Sequence, residues 1–193
     1  SQGGFAGLTN YRDRSLNREG ATSRGALVSE YLAGELTARD YVELLNGRFE
    51  EYNPFNLLVA DAKELYCFSS QAPNMIPLTP GVYGLANHLL DTPWGKLVRS
   101  KRQFSDLIQA ERPEPSKLMA MMTCQLTDPD DQLPETGFEL ETERALSSVF
   151  VRLPGYGTRA SSVLLVDHEG HWEMWELTYT DQAQPENLVC IRH

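Results

Sequence analysis

The sequence predicts an α+β fold in which two stacked, mainly antiparallel sheets lie between outer helices, a four-layer αββα arrangement. Three observations lead to it. Leu57–Ala60 and Val163–Val166 are unbroken apolar runs of strand length, the pattern of strands covered on both faces rather than one. The strand-like segments read as hairpins, which pair antiparallel. Between them lie stretches with the 3.6-residue apolar periodicity of helices that cover a sheet. At 193 residues, 41% hydrophobic and 23% charged, the chain can bury one sizeable core, so a single domain over 1–193 is expected.

Taken in order, Gly4 to Tyr11 reads as a short strand ending at Asn10, and the polar stretch from Arg12 to Gly20 as an exposed loop. Ser23 is placed to cap a helix whose Leu27, Val28, Tyr31 and Leu32 share a face. Thr37 is placed to cap a second, with Tyr41, Val42, Leu44, Leu45 and Phe49 aligned and Gly34 at the break. Asn56–Asp61 and Glu64–Ser69 form a hairpin about Ala62-Lys63. Helical periodicity returns at Trp94–Glu111 and Ser116–Leu126. From Asp128 to Glu143, acidic residues among prolines and glycine predict a solvated loop without the spacing of a calcium-binding loop. Val163–Asp167 and His171–Thr180, joined at His168-Glu169-Gly170, predict a carboxyl-terminal hairpin.

The formal net charge of −10 argues against sequence-independent nucleic-acid binding, which needs a basic surface. No apolar stretch approaches the roughly 20 residues of a membrane-spanning helix, so no integral membrane segment is expected. Cys67, Cys124 and Cys190 are odd in number and far apart, which fits a reducing, cytoplasmic compartment. The chain opens Ser1-Gln2-Gly3-Gly4 without an initiator methionine, so targeting information is expected upstream where it exists.

Three polar residues sit beside glycines or turns in ways a plain core does not demand: Asn10, Asn87 in Gly84-Leu85-Ala86-Asn87, and Arg159 in Tyr156-Gly157-Thr158-Arg159. Asparagines at strand ends can stabilise an oxyanion and an arginine can hold a carboxylate or orient a nucleophile. Equally, the asparagines can cap turns and Arg159 can serve an ion pair. His168, Glu169, His171 and Glu173 invite a metal reading, but a hairpin alternates its side chains between faces and the H-E-x-x-H helix spacing is absent, so neither metal nor cofactor is expected. Lys96, Arg99, Lys101 and Arg102 give one helix a positive edge, open to an anion or to solvent. No nucleotide-binding loop or nucleophile-elbow motif is present.

Several segments in order resemble the NRDE, or transport-and-Golgi-organisation protein 2, family: Leu8-Thr9-Asn10-Tyr11-Arg12, Ser23-Arg24-Gly25, Phe55-Asn56-Leu57-Leu58, and Gly84-Leu85-Ala86-Asn87 with Leu90-Asp91-Thr92-Pro93-Trp94-Gly95-Lys96. Leu146–Val151 and Tyr156–Ser162 complete the set. The resemblance implies an Ntn-hydrolase-like αββα fold. It also implies an amino-terminal Met-Cys, with the cysteine as nucleophile, and an Asn-Arg-Asp-Glu motif. Neither is found in these 193 residues, and Asn17-Arg18-Glu19 is a look-alike in a polar loop.

Two functions follow from the resemblance. The first is an Ntn-type hydrolase of a small C–N amide bond, with Asn10, Asn87 and Arg159 converging on one cleft. Such a chain is expected to be inactive without its nucleophile, because nothing in Gln2-Gly3-Gly4 fixes the α-amine of Ser1 as a base. The second is a non-enzymatic binding or trafficking protein for haem or an acyl-type amphipathic ligand, to which Met119–Met122 and Trp172–Trp175 would contribute. In either case the partner is a small molecule.

Overall fold

The computed structural model describes residues 3–110 and 112–193, in two compact units, Ser1–Thr92 and Pro93–His193. Ser1, and with it the expectation that it is no nucleophile, lies outside the described residues, as does Glu111. The fold is α+β with antiparallel sheets, and nine strands and five α-helices occur among the described residues.

In the first unit β1 (Phe5–Asn10), β2 (Phe55–Ala60), β3 (Leu65–Ser69) and β4 (Ala72–Pro77) form an antiparallel sheet in that order. Cross-strand partners share a face, so Leu8, Leu57 and Phe68 line up in one row and Ala6, Val59 and Tyr66 in the next. That face packs on α1 (Gly25–Ala33) and α2 (Ala38–Leu45), whose Leu27, Tyr31, Tyr41, Val42 and Leu45 are buried. Thr37 caps α2 as its sequence predicts, its hydroxyl accepting from Asp40 N at 3.2 Å. Ser23 does not cap α1, because the chain is already helical at Arg24 and only the Ser23 carbonyl accepts, from Ala26 N.

In the second unit β7 (Ala160–Val166), β8 (Trp172–Tyr179) and β9 (Pro185–Arg192) form an antiparallel sheet. One face carries α3 (Gly95–Leu107) and α4 (Pro115–Met121) over a core of Leu118, Met119 and Val163, with Phe104, Leu165, Trp175 and Leu177 against it. A short ribbon, β5 (Arg152–Leu153) with β6 (Tyr156–Gly157), precedes this sheet, and α5 (Leu140–Leu146) begins inside the stretch predicted as loop and runs three residues past its end.

The two apolar runs are not covered as expected. Leu57 and Val59 are fully buried, whereas Leu58 and Ala60 on the opposite face are half-buried. In β7, Val163 is buried but Leu164 is 40% and Val166 62% exposed. An unbroken run was therefore no proof of double coverage: the second face of the β7–β9 sheet is apolar yet open.

Candidate functional site

Two of the three predicted residues meet. The loop from Gly84 to Asp91 is closed on itself, Asp91 N donating to Gly84 O and Gly84 N to Asp91 Oδ1, both at 2.8 Å. Closure holds Asp91 at φ +58°, a left-handed conformation rarely adopted by a non-glycine residue. The loop docks on the end of β1: Asn87 Nδ2 donates to Asn10 O at 3.0 Å, Arg12 N donates to Asn87 O at 2.6 Å, and Thr9 Oγ1 donates to Ala86 O at 2.7 Å. Beneath it Asn56, fully buried, donates through Nδ2 to Thr9 Oγ1 and His88 O, while its Oδ1 accepts nothing among the described residues. Sequence reasoning passed over Asn56 because it sits inside a strand. A buried polar residue flanked by Phe55 and Leu57 was the available signal.

His88 is hydrogen-bonded through both ring nitrogens. Thr92 Oγ1 has one proton, donated to Leu89 O, so it accepts from His88 Nδ1 at 2.9 Å. That fixes the tautomer: Nε2 is the acceptor, and the Tyr11 hydroxyl donates to it at 2.7 Å. Burial, and then the nearby Arg12 guanidinium, lower the His88 pKa and favour this neutral form. Tyr11 is shifted up by burial and then by Asp13, so it remains a donor. The arrangement is a hydrogen-bonded Tyr–His–Thr chain linking β1 to the loop.

Arg159, in the second unit, is exposed and ion-paired with Asp181. Cys67 lies buried on β3, its thiol pushed up to about 11 by burial and then by Asp91, so it is no ready nucleophile. At the β7–β8 turn Asp167, Glu169 and His171 bring one ligand atom each within 4.8 Å of one another. Asp167 Oδ1 accepts from Glu169 N and His171 N at 2.9 Å, and Oδ2 meets His171 Nδ1 at 3.0 Å, an Asx-type turn that accounts for the cluster.

The second unit also holds an apolar cavity of about 420 Å³ between α4 and the β8–β9 ladder, lined by Met119, Ala120, Thr123, Trp175, Leu177 and Leu188. A groove of about 850 Å³ lies along the same ladder, lined by Arg112, Leu165, Glu173 and Arg192 among others.

The sequence model of the Transport and Golgi organisation 2 family matches residues 1–181. The chain is 34% identical to a Transport and Golgi organization protein 2 homolog of Bos taurus and 34% to one of Homo sapiens, in each case over 95% of this chain and 69% of the relative. A Drosophila melanogaster relative of that name is 24% identical over 83% of this chain and 62% of its own. The chain belongs to the Transport and Golgi organisation 2 family.

Membership gives the ordered motifs a physical reading. In Trp94-Gly95-Lys96 of this chain, a Cβ on Gly95 would overlap the carboxylate of buried Asp128, which also pairs with Arg99. In Tyr156-Gly157-Thr158, a Cβ on Gly157 would come to 2.7 Å from Val151 O, while Thr158 Oγ1 accepts from Val151 N at 3.0 Å. The look-alike Asn17-Arg18-Glu19 is structural: Arg18 donates to the carbonyls of Glu50 and Tyr52.

Proposed function

We propose that this chain is a non-enzymatic binding protein for an amphipathic ligand of acyl type, held in the apolar cavity of the Pro93–His193 unit. The observation that carries this reading is that the two segments singled out for it, Met119–Met122 and Trp172–Trp175, send Met119 and Trp175 into one cavity of about 420 Å³, within the range of small-molecule sites. Methionine and tryptophan offer an adaptable, polarizable lining to a chain of variable shape. Ala120 and Leu188 are exposed cavity-lining residues, so changing them leaves the core intact. Titration of a fluorescent long-chain carboxylate should quench tryptophan emission in the wild type, and A120W and L188E should each weaken binding about tenfold or more. Equal affinity in both variants overturns the reading. Haem, the other ligand implied by the resemblance, is tested by its absorbance shift in the same titration.

Ntn-type hydrolysis of a small C–N amide is the second reading, supported by the Asn87 Nδ2 to Asn10 O bond that sets two candidate residues side by side. In it Asn10, Asn87 and Arg159 share one cleft, and the nucleophile comes from a cysteine of the family's amino-terminal segment. Amidase turnover by a protein carrying that cysteine, reduced about 100-fold in N87A, supports it. Turnover unchanged in N87A sinks it. Both readings take one domain in the Ntn-like four-layer αββα arrangement that the resemblance implies. Three free cysteines support a cytoplasmic setting, no helix of the described residues is long and apolar enough to cross a membrane, and the net charge of −10 disfavours nucleic acid.

A further inference from the structure

We infer that Arg112 and Arg192 form an anion subsite continuous with the apolar cavity, so that the ligand is an amphipathic anion with its tail against Trp175 and Leu188 and its carboxylate or phosphate against the two guanidiniums. The inference rests on the binding reading above. It begins with register. Glu173 pairs with Arg192, Trp175 with Cys190 and Leu177 with Leu188, and partners two residues apart along a strand share a face. The ladder therefore presents one strip graded from charged at Arg192 to apolar at Leu188, four residues or about 13 Å away.

At the charged end, Glu173 holds both arginines. Arg112 Nη2 lies 3.0 Å from Oε1, and Arg192 Nε lies 3.3 Å from Oε2. The Glu173 side chain is 11% exposed, whereas those of Arg112 and Arg192 are 78% and 67% exposed. One carboxylate thus anchors two guanidiniums and neutralises one. Each guanidinium has five N–H donors, the bonds to Glu173 use only some of them, and both arginines line the groove. The triad carries a charge of +1 on a chain whose net charge is −10. The bond from Arg112 keeps Glu173 ionised, holding its pKa below the usual carboxylate range despite burial. Asp167 borders the groove too, but its oxygens already accept from Glu169 N, His171 N and His171 Nδ1.

The two ends are joined physically. Arg192 Cζ sits 5.7 Å from the centre of the Trp175 ring, whose indole lines the apolar cavity. A cation–π contact at this distance restrains the guanidinium, a group whose planar edge carboxylates and phosphates accept in pairs of hydrogen bonds. An exposed ion pair with no ligand to bind needs one arginine, and a second beside it adds like-charge repulsion.

Calorimetric titration with decanoate, decyl phosphate, decanol and decyltrimethylammonium, each below its aggregation concentration, separates the alternatives. Wild type should bind one or both anions at least about tenfold more tightly than decanol and the cation most weakly, with the anion preference falling as salt rises. R112Q/R192Q should bring anion affinity down to that of decanol while leaving decanol binding unchanged. Comparing decanoate with decyl phosphate identifies the head group. Equal affinity for decanol and both anions in the wild type, or an anion preference that survives in the double variant, overturns the subsite and leaves the cavity standing. Failure of all four to bind overturns the cavity reading and the subsite with it.

Discussion

Neutral His88 accepts from Tyr11 at Nε2 and donates to Thr92 from Nδ1, so a proton added at Nε2 removes the acceptor and places a cation near Arg12. Its folded pKa lies below the ordinary value of about 6.5, so as pH falls the unfolded chain takes up the proton first. The stability it contributes is present above about 6.5 and is lost as pH falls toward the folded pKa. Thermal melts at several pH values should show H88Q less stable than wild type at neutral pH, with the gap narrowing under mild acid. A gap independent of pH refutes the neutral assignment. Gly95 makes a separate case, because a methyl group there must displace the buried Asp128 carboxylate and its Arg99 partner. G95A should cost about 1–3 kcal/mol by urea denaturation, and G95A/D128A should recover part of it, through a vacated site rather than helix propensity. At this scale the sequence was partly legible. Asn87 beside a glycine turn reads as either an oxyanion donor or a turn cap, and neither reading names its bond to Asn10 O. Arg12, which reads as the exposed start of a polar loop, is buried, its N–H donating to Asn87 O in the Gly84–Asp91 loop, a contact that no local pattern records.

Among the elements, local chemistry was legible where the deciding contacts are close in sequence. The β2–β3 hairpin is an example. Asp61 Oδ1 accepts from Lys63 N and Glu64 N within the turn, while Oδ2 reaches Ala38 N at the start of α2 at 2.9 Å. Burial pushes its carboxyl up, and the three backbone N–H groups outweigh burial and hold it below the ordinary value. D61A leaves three donors short and should destabilise by about 1–3 kcal/mol in urea, and D61N should lose less. The contribution is present above the unfolded value near 3.9 and lost as pH falls below it, so D61A should converge on wild type in acid. Elements that escaped the sequence are those whose signal is weak for a physical reason. β4 opens with Ala72-Pro73 and ends at Pro77, tolerable only on an edge strand, where a ladder hydrogen bond is not required. β9 is exposed at every position and so shows no apolar alternation. α5 hides in an acidic stretch because Glu143 is buried by accepting from Thr136 N rather than by solvent.

For the whole molecule, the outer face of the β7–β9 sheet carries exposed apolar side chains. Val166 is 62% and Ile191 54% exposed, and both project from the side opposite α3 and α4. The two apolar runs predicted four layers for a reason that half fails. An unbroken run follows wherever both faces of a strand are apolar, and here only the helix face is covered within the unit. The four-layer arrangement therefore rests on the family resemblance and on the unfavourable hydration of an apolar face, about 25 cal/mol for each Å² left in water. V166K/I191K decides it. If a second sheet covers this face, two lysines must be desolvated there, and the melting temperature should fall by about 10 °C or more, with loss of cooperative unfolding. If the face meets only solvent, the same lysines are near-neutral surface changes and the melting temperature should move by no more than a degree or two. Lysine on the helix-facing side, at V163K, calibrates the scale, because that position is buried under Leu118 and Met119 in either arrangement. A V166K/I191K loss comparable to that of V163K establishes the fourth layer, and a loss near zero removes it.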